Sequence, residues 1–332
     1  MQRSEFLKIA GIGAVSGLIQ NTVHSVNNDL LIKPKRLKPG DTVALPAPAG
    51  IVFQESDFTK MREVLESFGL NVVFGEFVRE RFGYFSGTDD ERAKDLNRFF
   101  SDPDIDAIVA VRGGWGSSRI LPFLDFDMIR HNPKIFCGFS DITTLNLAFL
   151  KHCGFITFHG PNGASDWTVL TKESFKAVLM DGAEAKFKSR GPVKTIVSGV
   201  AEGPLIGGNL TILTTALGTS YQPSTKGAIL FLEDIAEPPY KIDRMLTHLK
   251  AAGALDGISG FVFGKCTNCA KPSSPGFSNE EIIGHHIKPL GIPAVSGVDI
   301  GHDPDNFTLP LGIAAKLDAE SGIIELTEPG VL

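Results

Sequence analysis

The chain has 332 residues, 21% of them charged, a formal net charge of -6, and many dispersed glycines (36) and prolines (20). That length suits two domains, or one large one, with a substantial buried core. The acidic balance excludes the basic patch that nucleic-acid binding requires, and no internal repeat or low-complexity tract is present.

The chain opens with Arg3-Ser4-Glu5-Phe6-Leu7-Lys8, an apolar run from Ile9 to Ile19, and small residues near Val23-His24-Ser25. A basic start, a short apolar core and a small-residue end predict a secretory signal over residues 1–28. The apolar run is too short to span a bilayer, so no stable membrane insertion is expected. Arg3 to Lys8 also resembles the twin-arginine export signal, with Ser4 in place of the second arginine. The expected location is the periplasm or beyond; the alternative is an amphipathic N-terminal helix on a cytoplasmic protein.

Asp41 to Gly50 reads as a buried strand ending in a loop, followed by a helix from Asp57 to Phe68 with Met61, Val64, Leu65 and Phe68 on one face. Further strands are expected at Asn71 to Phe74, Ala107 to Val111, Ile135 to Gly138 and Ile156 to His159, with a helix from Asp89 to Phe100. Apolar strands alternating with helices predict a parallel α/β sheet covered on both faces. From about Lys186 the texture becomes strand-rich. Strands are expected near Val193 to Ile206, at Ala228 to Leu232 and at Gly260 to Gly264, with a helix from Tyr240 to Ala251 and an antiparallel pair over Ala314 to Leu326. The boundary falls near residues 182–203, giving one domain over 31–185 and a second over 200–332. Ligands in such sheets bind at the carboxyl ends of strands, here the loops after Val111, Gly138 and Leu232.

Cys137-Gly138-Phe139-Ser140-Asp141-Ile142-Thr143-Thr144 lies between an apolar strand and a helix. A serine on such a turn has its hydroxyl pushed out of the sheet beside helix amides, the geometry of nucleophilic serines. Ile142 stands where the G-x-S-x-G pattern has its second glycine, and Ser140 or Asp141 could instead simply cap the helix. Val111-Arg112-Gly113-Gly114-Trp115-Gly116 precedes it and fits neither a G-x-G-x-x-G nor a P-loop phosphate site. An oxyanion hole fits better, with one amide from Gly113 or Gly114 and the other from Asp141. A plain glycine-rich turn with Trp115 packed on the surface is the other reading.

A serine nucleophile requires a base, and the base an orienting partner. His302, in Ile300-Gly301-His302-Asp303-Pro304, follows a short strand in a glycine- and proline-bounded loop; His159 is the runner-up. Among Glu233, Asp234 and Glu237, Glu233 comes first after the apolar run and is best placed to point into a cleft. Asp234 and Glu237 are expected to be solvated or to cap the next helix. Cys137 and Cys153 read as buried thiols, and Cys266-Thr267-Asn268-Cys269 as a loop able to close a small disulfide in an exported protein. No metal or cofactor motif is present.

Together Arg112-Gly113-Gly114-Trp115-Gly116, Gly138-Phe139-Ser140-Asp141-Ile142-Thr143, Gly207-Gly208-Asn209-Leu210, Phe231-Leu232-Glu233-Asp234, Gly301-His302 and Thr308-Leu309-Pro310-Leu311-Gly312 resemble the LD-carboxypeptidase family. The resemblance covers the chain from about Leu37 to its end. It implies a Rossmann-like N-terminal domain, a β-rich α/β C-terminal domain, a site in the groove between them, and a homodimer. It implies Ser140 as nucleophile, Glu233 as orienting carboxylate and His302 as general base, with D-alanine released from a peptidoglycan stem peptide at an L,D bond. Arg112 is the candidate for the substrate carboxylate, and Trp115, Asn209 and Tyr240 are further substrate-binding candidates. Two alternatives remain. Microcin C immunity peptidases, within the family, cleave aminoacyl nucleotides and need an aromatic platform that Trp115 or Trp167 could supply. A non-catalytic cell-wall peptide-binding protein would keep the fold with an idle site.

Overall fold

The computed structural model describes residues 31–269 and 275–332, so the signal reading of residues 1–28 lies outside them. Fourteen strands are present among the described residues, in chain order β1 (Thr42–Leu45), β2 (Asn71–Phe74), β3 (Ala107–Val109), β4 (Ile135–Cys137), β5 (Thr157–His159), β6 (Lys186–Lys188), β7 (Lys194–Val197), β8 (Val200–Asn209), β9 (Ile229–Ile235), β10 (Gly260–Thr267), β11 (Ala294–Ser296), β12 (Leu309–Leu311), β13 (Ala314–Asp318) and β14 (Ile323–Leu326). They form two sheets, a mixed α/β architecture with a Rossmann-like first half and a β-rich second half.

The first sheet has six strands in the order β12-β5-β4-β3-β1-β2. Strands β1 to β5 run parallel, and β3 and β4 are buried throughout, as strands covered by helices on both faces must be. Helix Glu55–Glu66 buries Phe58, Met61, Val64 and Leu65 against this layer. Helix Asp89–Ser101 is started by a capping box in which Thr88 and Glu91 satisfy each other's amides, and it buries Leu96, Phe99 and Phe100.

The second sheet has eight strands, β6-β14-β13-β8-β9-β10-β11-β7. Its centre, β8 to β11, is parallel; the flanking strands are antiparallel. Two features depart from the expectation. Strand β9 runs on through Glu233 and Asp234 to Ile235, so these carboxylates lie within a central strand and not in the loop after Leu232. They stay in the ladder because Asn209 and Cys266 pair alongside them on β8 and β10. Strand β12, from the C-terminal half, leaves the second sheet and pairs antiparallel with β5 in the first, so that Leu309 faces His159. Among the described residues no helix is long and apolar enough to cross a membrane.

Candidate active site

Ser140 follows β4 on a turn so tight that its φ is 65°, a left-handed value rare outside glycine. Its surroundings enforce that strain, typically about 1–3 kcal/mol. Phe139 N donates to Asn162 Oδ1 (3.2 Å), Asn146 Nδ2 donates to Gly138 O (2.9 Å), and the Asp141 carboxylate accepts from Ser117 N (2.7 Å). The residue opens a short turn, Ser140–Ile142, which runs directly into helix Thr143–Cys153. The serine therefore stands at the head of a helix with its hydroxyl in a cavity of about 430 Å³.

His302 reaches this hydroxyl from the loop after β11: Ser140 Oγ lies 3.0 Å from His302 Nε2. On the other side His302 Nδ1 lies 2.7 Å from Glu233 Oε2. A fully buried carboxylate in this position can only accept, so Nδ1 carries the proton and Nε2 is left to accept from the serine. The second Glu233 oxygen, Oε1, accepts from Asn209 Nδ2 at 3.2 Å. Gly301 is required beside the histidine, because a Cβ there would meet Glu233 Oε2 at 2.5 Å. The loop is held by Gly301 N donating to Asn306 Oδ1 (3.0 Å) and by Asp303, which accepts from Thr267 Oγ1 (2.8 Å) and pairs with Lys265 (3.2 Å). Phe139 packs on the imidazole with ring centroids 4.8 Å apart.

Of the two residues expected to supply oxyanion amides, Gly114 lines the same cavity, whereas Asp141 is buried directly behind Ser140 and is not part of the lining. The Gly113 carbonyl accepts from Gly50 N (3.1 Å), so the trans peptide turns the Gly114 N–H away from Gly50. Asp141 follows the serine at the helix head, and burial pushes its carboxyl above the usual range despite the Ser117 amide. Arg112 also lines the cavity, its Nη1 donating to Ile51 O (2.8 Å) and its guanidinium over Phe53.

Other expectations are corrected. Asn209 is buried and faces Glu233 and Asp234 instead of the cavity; its Oδ1 caps helix Leu210–Ala216 by accepting from Ile212 N. Tyr240 is exposed on helix Pro239–Ala251 with Arg244 over its ring, outside the cavity lining. Trp115 is exposed and also outside the lining, while Trp167 is packed against Phe68 and Phe175 with its Nε1 donating to Gly163 O (3.0 Å). Asp234 is not solvated: it is buried, accepts from Thr211 N, Thr211 Oγ1 and Asn209 Nδ2, and burial raises its carboxyl to about 6. His159 is 1% exposed between Phe139 and Phe231, and burial lowers it to about 4 against the opposing pull of Glu233 and Asn306. Among the described residues no hydroxyl is hydrogen-bonded to its ring. Cys137 and Cys153 are buried thiols whose burial raises them, and Cys266 and Cys269 form a disulfide at the end of β10. Among the described residues no group of three or more His, Cys, Asp or Glu is arranged to hold a metal ion. The cavity walls also include Asn162, Asp166, Asp303 and Asn306, which the sequence reading did not single out. A polar cluster in loops flanking strand ends was the only signal for them.

A strained serine at a strand-to-helix turn, in reach of a histidine backed by a buried carboxylate, is a serine-hydrolase geometry set between two α/β sheets. Residues 43–160 match the LD-carboxypeptidase N-terminal domain and residues 202–317 the LD-carboxypeptidase C-terminal domain. The chain belongs to the LD-carboxypeptidase family. It is 38% identical to a protein of Bacillus subtilis named "Probable murein peptide carboxypeptidase", over 88% of this chain and 94% of that one. It is 31% identical to the murein tetrapeptide carboxypeptidase of Pseudomonas aeruginosa (83% and 92%) and 31% identical to the microcin C7 self-immunity protein MccF of Escherichia coli (91% and 97%). Among solved structures it superposes on MccF without ligand with a TM-score of 0.84 (28% identity, 91% and 100% covered). It superposes on muramoyltetrapeptide carboxypeptidase from Oxalobacter formigenes with a TM-score of 0.75 (33%, 87% and 99%).

Proposed function

We propose that the protein is a serine carboxypeptidase that releases terminal D-alanine from a murein tetrapeptide at an L,D bond. The observation that carries the reading is the continuous hydrogen-bonded chain Ser140–His302–Glu233 in one cavity. The names of the Bacillus subtilis and Pseudomonas aeruginosa relatives support murein peptide as the substrate class.

In this mechanism His302 Nε2 takes the Ser140 proton as Oγ attacks the amide carbonyl. Buried Glu233 stabilises the imidazolium, and Asn209 holds that carboxylate in line. The tetrahedral oxyanion rests on the Gly114 and Asp141 amides; losing one such donor costs about 3–4 kcal/mol. His302 then protonates the departing amine, and water, deprotonated by the same nitrogen, clears the acyl-enzyme. Arg112, with no carboxylate partner among the described residues, receives the substrate's terminal carboxylate. Export to the periplasm and a homodimeric state belong to the same proposal.

The overlap with MccF supports a second reading, cleavage of an aminoacyl nucleotide. Trp115 and Trp167 follow the lining residues Gly114 and Asp166 without lining the cavity themselves, and Trp167 is packed against Phe68 and Phe175, which supports the peptide over the nucleotide. The test is mass spectrometry of protein lacking residues 1–28, incubated with muramoyl tetrapeptide beside its Ser140→Ala variant. Loss of one D-alanine by wild type alone is the expected result. Equal loss with the variant would remove Ser140 as nucleophile. No loss with either redirects the assignment to the aminoacyl nucleotide, and inactivity there too leaves a non-catalytic cell-wall peptide-binding protein.

A further inference from the structure

The cavity beside Ser140 holds two side-chain charges without a counter-charge. Among the described residues, the Arg112 guanidinium meets only the Ile51 carbonyl and the Phe53 ring. The Asp166 carboxylate likewise makes no hydrogen bond or ion pair among those residues, while the third charge in the cavity wall, Asp303, is engaged by Lys265 and Thr267. Arg112 and Asp166 sit on adjoining segments, since Ala164 N donates to Val111 O (2.9 Å), yet they do not pair with each other.

The segment carrying Asp166 is fixed on both sides. Asn162 N donates to Ser165 Oγ (2.9 Å) and Ser165 N to Asn162 O (3.1 Å). Trp167 is anchored in the core by Phe68 and Phe175, and Thr168 caps helix Val169–Leu179 while its hydroxyl donates to Asp305 (2.5 Å). The carboxylate is thus held at the cavity edge by its neighbours, with its own oxygens available. An anion so placed favours a cationic substrate group and disfavours a neutral one.

We propose that Asp166 is a specificity-determining residue that binds a protonated amine on the acyl half of the substrate, the half whose carbonyl Ser140 attacks. The inference rests on the carboxypeptidase reading, in which Arg112 takes the carboxylate of the leaving residue, so the amine must come from the other side of the scissile bond. A side-chain amine of a diamino acid and a free α-amine offer the same chemistry.

The experiment compares kcat/KM for three matched pairs on wild type and Asp166→Asn: a tetrapeptide with a side-chain amine on its third residue, the residue before D-alanine, and its side-chain-acetylated form; a dipeptide ending in D-alanine with its α-amine free or acetylated; and an aminoacyl sulfamoyl adenosine with its α-amine free or acetylated. Wild type is expected to prefer a free-amine member by about two- to fivefold, the range of an exposed ion pair, and the variant to bring that ratio to about one. Asp166→Lys should reverse the preference, and unchanged thermal unfolding of the variants excludes misfolding as the cause. Discrimination in the tetrapeptide pair identifies the side-chain amine, and discrimination in the dipeptide pair the α-amine. Peptide turnover with equal rates for free and acetylated forms, or a preference that survives in Asp166→Asn, overturns the role of Asp166 alone. Absence of D-alanine release from every peptide overturns the carboxypeptidase reading itself, and this proposal with it, whatever the nucleotide pair does.

Discussion

Gly113 and Ser140 are in such close contact that a Cβ on the glycine would lie 2.8 Å from the serine Cβ and 3.0 Å from its Oγ. The obstruction includes Phe139 O at 3.2 Å, a backbone atom that cannot swing aside. Gly113→Ala is therefore expected to displace the nucleophile, lowering kcat about 100-fold or more, with a stability loss of roughly 1–3 kcal/mol from overpacking. Steady-state kinetics beside a thermal melt would decide it, and a variant with near-normal kcat would show that the contact is slack.

Asn209 performs two separable tasks. Its Oδ1 caps a helix through Ile212 N, and its Nδ2 donates to Glu233 and Asp234. Serine caps helices about as well as asparagine but has no amide to offer Glu233. Asn209→Ser should keep the helix cap but leave buried Glu233 and Asp234 one donor short, costing about 1–3 kcal/mol in a thermal melt, while kcat drops about 10- to 100-fold through misplacement of the Glu233–His302 pair. A kcat near wild type despite that loss of stability would mean that the residue is structural only.

Arg112 is tethered to Ile51 O through one nitrogen, which leaves the rest of its fork for a carboxylate. Lysine keeps the charge and loses the fork. Arg112→Lys is expected to raise KM about tenfold with kcat within about twofold, because the contact is made equally in ground and transition states. If kcat falls and KM does not, Arg112 contacts the reacting centre.

Burial lowers His159 from 6.5 to about 4, so the folded state favours the neutral ring. The associated stability is fully present above about pH 6.5 and is lost as pH falls through about 4, amounting to roughly 3 kcal/mol. Urea unfolding of wild type and His159→Leu between pH 7 and 4 should show the wild type losing about that much more. Parallel pH profiles for the two proteins would show that His159 does not titrate on unfolding in this range.

Much of this architecture was legible locally. Strand β2 spans Asn71–Phe74 as expected, and Gly138-Phe139-Ser140 falls on the turn that its glycine and flanking apolar strand predict. What escaped depended on partners distant in sequence. Glu-Asp after an apolar run reads as a strand end; Asn209, Thr211 and His302, all more than twenty residues away, help make the pair tolerable inside β9. Asn209 read as a cleft residue for the same reason, since its two carboxylate partners are invisible in its own segment. Trp167 read as a platform because nothing local reveals Phe68 and Phe175 against it.

Strand β12 has a consequence for the order in which the molecule matures. A ribosome that has synthesised the first five strands has exposed β5 as an open edge, since its outer neighbour, Leu309–Leu311, is made only later, Leu309 lying 150 residues after its partner His159. Pairing across that span carries a large loop-closure penalty and is expected late in folding. His302 lies seven residues before β12, so docking of that strand also carries the loop bearing His302 towards Ser140. A nascent chain thus holds Ser140 before His302 can reach it, and the contact between the two forms only when Leu309–Leu311 closes the first sheet.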